Sequence, residues 1–225
     1  VARSWTLRHS IVLTLLLCLA LTGYAGWQLL SAPAIPRLQQ ASLLQRPLPL
    51  AEFELLDHQQ QPFTNANLLG HWHLISYGYS YCPDICPLTL AKLSSLQLQL
   101  AQWPEFSPLQ LVFYSVDPNR DRPDVLAQYV DFFAGEITGV VANPRLPARA
   151  AAFEHSLGLQ VQIDALDIAR GDYPVNHGVL LYLLNPQAEL QAVFTPIRQY
   201  NKVPEYDAEL LLQDYLSIRR YVAAQ

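Results

Sequence analysis

The sequence predicts an α/β fold in which a mixed central sheet is flanked by helices, and three observations lead there. Apolar runs with strand character alternate with helical runs through most of the chain, the pattern of a mostly parallel sheet covered on both faces. Near the C-terminus, Gly178 to Leu184 and Leu190 to Phe194 flank Asn185-Pro186-Gln187-Ala188-Glu189 and read as an added β-hairpin, which brings an antiparallel part. Finally, two cysteines sit where a central strand gives way to a helix. A dithiol at that junction is the thioredoxin-like arrangement.

The elements follow in order. Ser10 to Leu30 carries no charged residue, and its centre from Ile11 to Leu21 is close to continuously apolar. About 20 such residues span a hydrocarbon core, so 10–30 reads as an N-terminal transmembrane helix. Arg3 and Arg8 precede it and favour a cytoplasmic tail at 1–9. The expected placement is a single pass through a bacterial inner membrane, with the C-terminal domain in the periplasm. A cleaved signal peptide is the rival, disfavoured by the length of the apolar run. Pro33, Pro36, Pro47 and Pro49 make 31–49 an extended, Pro-rich stalk. The remaining residues, 50–225, are one domain.

Within that domain Ala51 to Leu56 is an edge-strand candidate, and Gly70 to Tyr79 is the central strand. A helix opened by Pro87 follows, with Leu90, Leu93, Leu96 and Leu100 on one face. Leu109 to Val116 is a strand. Pro123 starts a helix with Leu126, Tyr129, Val130 and Phe133 on one face. Ile137 to Val141 is a short strand, Pro147 starts another helix, and Leu159 to Ile163 is a further strand candidate. Asp164 to Asn176 is a polar loop, and Tyr206 to Tyr221 is a closing helix.

Composition narrows the function. The net charge is -5, with 19 acidic residues, and no Lys/Arg-rich stripe exists. Nucleic-acid binding is excluded on that ground, because phosphate neutralisation needs clustered positive charge. Methionine is absent, which removes thioether ligands. Chemistry concentrates in Ser80-Tyr81-Cys82-Pro83-Asp84-Ile85-Cys86-Pro87, which holds two of the three cysteines. Two thiols four positions apart can hold a soft metal, form a short disulfide, or cycle between the two states. Near a helix N-terminus both sulfurs can converge on one point, and the local positive potential favours thiolates. Pro83 and Pro87 stiffen the loop, which suits fixed ligands for copper.

Two sulfurs leave a copper site incomplete, and an imidazole is the common third ligand. His177 lies at the mouth of the hairpin, in a loop able to return to the C-terminal ends of the strands. The residues leave open whether it is a ligand or a hydrogen-bonded structural histidine. His71 and His73 lie near the start of the central strand, away from the cysteines. Asp84 reads as an outer contact of the site, a partner contact or a solvated turn residue. Asp117, Arg120 and Asp121 read as a salt-bridged turn that fixes the loop after a strand, with partner docking as the alternative. Cys18 reads as a cysteine without a role.

Three segments resemble the SCO/SenC family, thioredoxin-like copper proteins associated with cytochrome c oxidase assembly. They are Tyr77 to Pro87 around the cysteines, Ser115-Val116-Asp117-Pro118-Asn119-Arg120-Asp121-Arg122-Pro123, and Tyr173-Pro174-Val175-Asn176-His177. The resemblance extends from about Leu48 to Leu216. It implies one copper, Cu(I) or Cu(II), per monomer, bound by Cys82, Cys86 and His177. It implies a copper chaperone that serves the dinuclear copper site of oxidase subunit II, or a thiol–disulfide oxidoreductase that reduces the cysteines of that site through Cys82 and Cys86. An upstream copper donor and a thioredoxin-like reductant are the further partners. Asp84, Asp117 and Asn176 stand as outer contacts of the metal or contacts with the partner. Asn176 departs from the family, which often has Asp there, and Tyr81 stands where a histidine is frequent.

Overall fold

The computed structural model describes residues 2–30, 33–106, 108–163, 168, 173, 175–198, 200–201 and 203–225. Most of the polar loop expected at 164–176, and residues 31 and 32 of the expected stalk, lie outside the described residues. The chain divides into two compact units, 1–37 with 219–225, and 38–218.

The first unit holds helix α1 (Ala2–Leu30). The expected transmembrane helix is corrected here: among the described residues, no helix is long and apolar enough to cross a membrane. Thr14, Thr22 and Gly23 interrupt its apolar stretch. The single-pass inner-membrane placement with a periplasmic domain rested on this span and is corrected with it.

The second unit is a thioredoxin-like α/β fold with a mixed sheet and flanking helices. Its strands are β1 (Ala41–Pro49), β2 (Glu54–Asp57), β3 (Pro62–Thr64), β4 (Trp72–Gly78), β5 (Leu109–Ser115), β6 (Ile137–Ala142), β7 (Val161–Gln162), β8 (Asn176–His177), β9 (Leu181–Leu184) and β10 (Glu189–Phe194). Its helices are α2 (Ile85–Leu100), α3 (Pro123–Asp131), α4 (Pro147–Leu157) and α5 (Ala208–Ala223). Eight strands form one sheet in the order β1-β10-β9-β4-β5-β6-β2-β3, and β7 and β8 form a separate two-stranded ribbon. Only β4, β5 and β6 are mutually parallel; the remaining pairings of the large sheet are antiparallel.

All seven residues of β4 are buried, as expected of a central strand covered on both faces. Alternate side chains serve the two faces. Ile75, Tyr77, Val112 and Tyr114 join Ala150, Phe153 and Leu157 of α4 in one core cluster. On the opposite face Trp72 meets Tyr215 of α5 edge-on at 6.5 Å, and Phe113 meets Tyr129 of α3 at 5.4 Å. Helix α2 starts at Ile85, two residues before Pro87. This costs nothing, since N–H groups of the first turn have no intrahelical partner.

Two expectations about the N-terminal part of this unit change. Residues 41–49, read as the end of the stalk, form strand β1 on the sheet edge, where prolines are tolerated. The strand predicted at Ala51 to Leu56 is not an edge, because β2 pairs with both β3 and β6. Buried Asp214 of α5 secures the start of β1. Its carboxylate accepts backbone N–H bonds from Gln39 (3.0 Å), Gln40 (2.7 Å) and Ala41 (2.9 Å). Asp214→Ala strands these donors and is expected to lower unfolding free energy by about 2–3 kcal/mol, as read from urea denaturation.

Candidate metal centre

The cysteine loop leaves the C-terminal end of β4. Ser80 fixes its first residue: its N–H donates to Asp121 Oδ2 at 2.8 Å, and its hydroxyl to Asp121 Oδ1. Ser115 Oγ donates to the same carboxylate at 2.6 Å. Asp121 is fully buried, so it ties the β4 and β5 exits together. The loop then turns through Cys82 N–H to Tyr79 C=O at 3.1 Å and enters α2. Cys86 is buried in the first turn, Cys82 is half-buried before it, and both thiols are free.

His177 comes from the other side. The β7–β8 ribbon pairs Val161 with His177, and Gly178 N–H donates to Gln160 C=O at 3.1 Å. A Cβ at Gly178 would lie 2.1 Å from Tyr77 Oη, so only glycine lets this backbone pass over β4. The His177 ring packs against Tyr79 edge-on at 5.8 Å and against Tyr77 at 5.6 Å.

Among the described residues, Cys82, Cys86 and His177 form one group able to hold a metal, with one ligand atom from each within 4.8 Å of the others. Cys86 Sγ is 3.7 Å from His177 Nε2, and His177 Nδ1 is 2.5 Å from the Gly178 carbonyl. A carbonyl only accepts, so Nδ1 carries the proton and the Nε2 lone pair faces the sulfurs. Two sulfurs and a directed imidazole nitrogen fit a soft or borderline ion.

The two sulfurs are electrostatically unlike. The S–H of Cys86 donates to Cys82 and holds its thiol well below the usual range, with help from the backbone N–H groups of Asp84 and Cys86, against the opposing effect of burial. That same bond, together with burial and the charge on Cys82, pushes the Cys86 thiol up. The Asp84 side chain makes no cap hydrogen bond at the N-terminus of α2, which leaves those N–H groups to the sulfur.

Of the outer residues expected from the sequence, Asp84 and Asn176 are exposed beside the site. Asp117 is instead fully buried. It pairs with Arg120 Nε and accepts from the Tyr173 hydroxyl at 2.6 Å. Burial places Asp117 and Asp121 away from any docking surface. Asp121 bonds serines where a salt bridge was expected. His71 and His73 lie at the far end of β4, and burial lowers the His73 imidazole to about 4. Three features went unread in the sequence: Gly78, whose missing Cβ makes room for Cys86; Tyr77 and Tyr79 as the walls around His177; and the aromatic surroundings of Arg120.

The sequence pattern described as SCO1/SenC matches residues 43–210. The chain belongs to the SCO1/SenC family. It is 32% identical over 222 residues to the human protein "Protein SCO2 homolog, mitochondrial", covering 97% of this chain and 77% of that one. Among solved SCO structures it is similar to Arabidopsis thaliana ScoI with copper bound, at 26% identity and a TM-score of 0.62, covering 76% of this chain and 99% of that one. It is equally similar to yeast Sco1 with copper bound, at 26% identity and a TM-score of 0.62, covering 80% of this chain and 91% of that one.

Proposed function

We propose that this protein handles copper as cargo, holding one ion between Cys82, Cys86 and His177, and delivers it to the dinuclear copper site of cytochrome c oxidase subunit II during assembly. One observation carries the reading: three soft or borderline donors within 4.8 Å, with the histidine lone pair turned toward the sulfurs. Membership of a family whose relatives are solved with copper bound supports the metal. Family membership also supports a general role in oxidase assembly; subunit II as recipient is the finer step. Half-buried Cys82 lies beside exposed Tyr81, Pro83 and Asp84. An incoming thiolate can therefore reach the metal from that side and displace the ligands in turn.

Titration of the full chain with Cu(I) under reducing conditions tests the site. One-to-one binding is expected, weakened about a hundredfold or more by His177→Ala and by Cys82→Ser. An affinity unchanged by His177→Ala sinks the three-ligand site. Mixing loaded protein with copper-free subunit II then tests delivery. The absorption of the dinuclear site should appear; failure to develop it in a competent recipient removes that step.

The asymmetry of the thiols favours a second activity, reduction of the recipient's cysteines. The Cys82 thiolate attacks the recipient disulfide and releases one thiolate. The Cys86 sulfur, on losing its proton, displaces the second. The recipient becomes a dithiol as Cys82–Cys86 becomes a disulfide, and a thioredoxin-like reductant restores the pair.

A further inference from the structure

The ligands arrive from segments 91 residues apart, and the ribbon that carries His177 belongs to a two-stranded sheet separate from the large one. On its C-terminal side His177 is tied to β9 by a short stretch of chain. Its N-terminal side needs another attachment, and the side chains around Arg120 provide one. Arg120 lies on the loop after β5. Its guanidinium carbon sits 3.8 Å from the centre of the Tyr173 ring, 5.4 Å from that of Tyr79 and 5.2 Å from that of Tyr81. Tyr173 precedes His177 by four residues, and Tyr79 and Tyr81 lead into Cys82. One cation therefore touches both ligand-bearing segments. Buried Asp117 fixes the cation through Nε and fixes Tyr173 through its hydroxyl. Arg120 Nη2 is buried with no hydrogen-bond partner among the described residues, so aromatic faces and not acceptors hold that end.

We infer that Arg120 is a positioning residue for copper binding: it clamps the His177 segment onto the cysteine loop and sets where the third ligand meets the two sulfurs. The inference rests on the three-ligand reading above. The planar guanidinium is essential to it, because a lysine ammonium is a point charge that cannot lie flat against Tyr173 while reaching Asp117.

A double-mutant cycle on the full chain tests the clamp, with Cu(I) affinity read by competition with a chromophoric chelator. Arg120→Met is expected to weaken Cu(I) binding about tenfold when His177 is present. In a His177→Ala background the same change should move affinity by less than about twofold, because no third ligand remains to be positioned. A loss that is equal in both backgrounds overturns the proposal, since a general structural role acts whether or not His177 is there. An Arg120→Met affinity within about twofold of the parent overturns it too, and in that case a surviving His177→Ala effect leaves the three-ligand site standing. If His177→Ala alone changes nothing, the site reading fails and the clamp fails with it. Should Arg120→Met lack a cooperative thermal transition, Arg120→Lys takes its place in the cycle under the same criteria.

Discussion

Gly78→Ala is expected to lower Cu(I) affinity about a hundredfold, although the substitution adds one methyl group to a residue that binds nothing. A Cβ at this position would stand 2.5 Å from Cys86 Sγ, 3.5 Å from Cys86 Cβ and 3.4 Å from Phe113 Cε2. Something must yield, and the strand is poorly able to. Gly78 pairs with Ser115 in the parallel ladder, and its carbonyl accepts the Val116 N–H at 2.9 Å. Phe113 is packed in the core against Tyr129. The Cys86 side chain is the remaining choice, and turning it away separates its sulfur from Cys82 and His177. Overpacking of this kind costs about 1–3 kcal/mol of stability as well. Chelator competition paired with denaturation separates the two effects. The clash argument fails if Gly78→Ala binds Cu(I) within about threefold of the parent while remaining folded.

The requirement at Gly78 shows what the sequence conceals. Strand β4 and helix α2 were legible because an apolar run followed by a leucine stripe has a definite period, and the dithiol between them was legible because of its chemistry. The need for a glycine two residues before Ser80 was not, since it comes from a sulfur eight positions later folding back onto the strand. Strand β1 was hidden by its prolines, which suit an extended stalk and an edge strand equally. Only the pairing with β10 and the grip of Asp214, about 175 residues away, distinguish the two. The residues alone leave His177 open between ligand and structural histidine, and its Nδ1 contact with Gly178, which turns Nε2 toward the sulfurs, supports the ligand reading. Arg120 looked like half of an ion pair. Its aromatic neighbours come from two segments far apart in the chain, and no local pattern announces them.

Copper affinity is expected to rise about tenfold per pH unit from pH 7 to pH 9, about a hundredfold in all, with close to one proton released per ion bound. Both sulfurs bind as thiolates, so any proton they hold competes with the metal. Cys82 holds none in this window, because the S–H bond from Cys86 and the first-turn N–H groups keep its thiol far below neutrality. Cys86 holds its proton throughout, because that same bond, its burial and the adjacent thiolate raise it above the ordinary thiol range. Loading therefore displaces the single Cys86 proton, and each tenfold fall in proton concentration favours the loaded form tenfold. Two independent thiols near 8.5 would behave differently, with a slope approaching two at pH 7 that flattens by pH 9. Competition titrations at constant ionic strength, with proton release followed in weak buffer, distinguish the cases. A slope near two at pH 7, or a plateau before pH 9, would contradict the shared-proton pair. The same asymmetry bears on reduction of a recipient disulfide: a half-buried thiolate at Cys82 is available to attack, while Cys86 must first give up the proton it shares. The pH that limits loading should thus also limit release of the reduced recipient, because both steps wait on one sulfur.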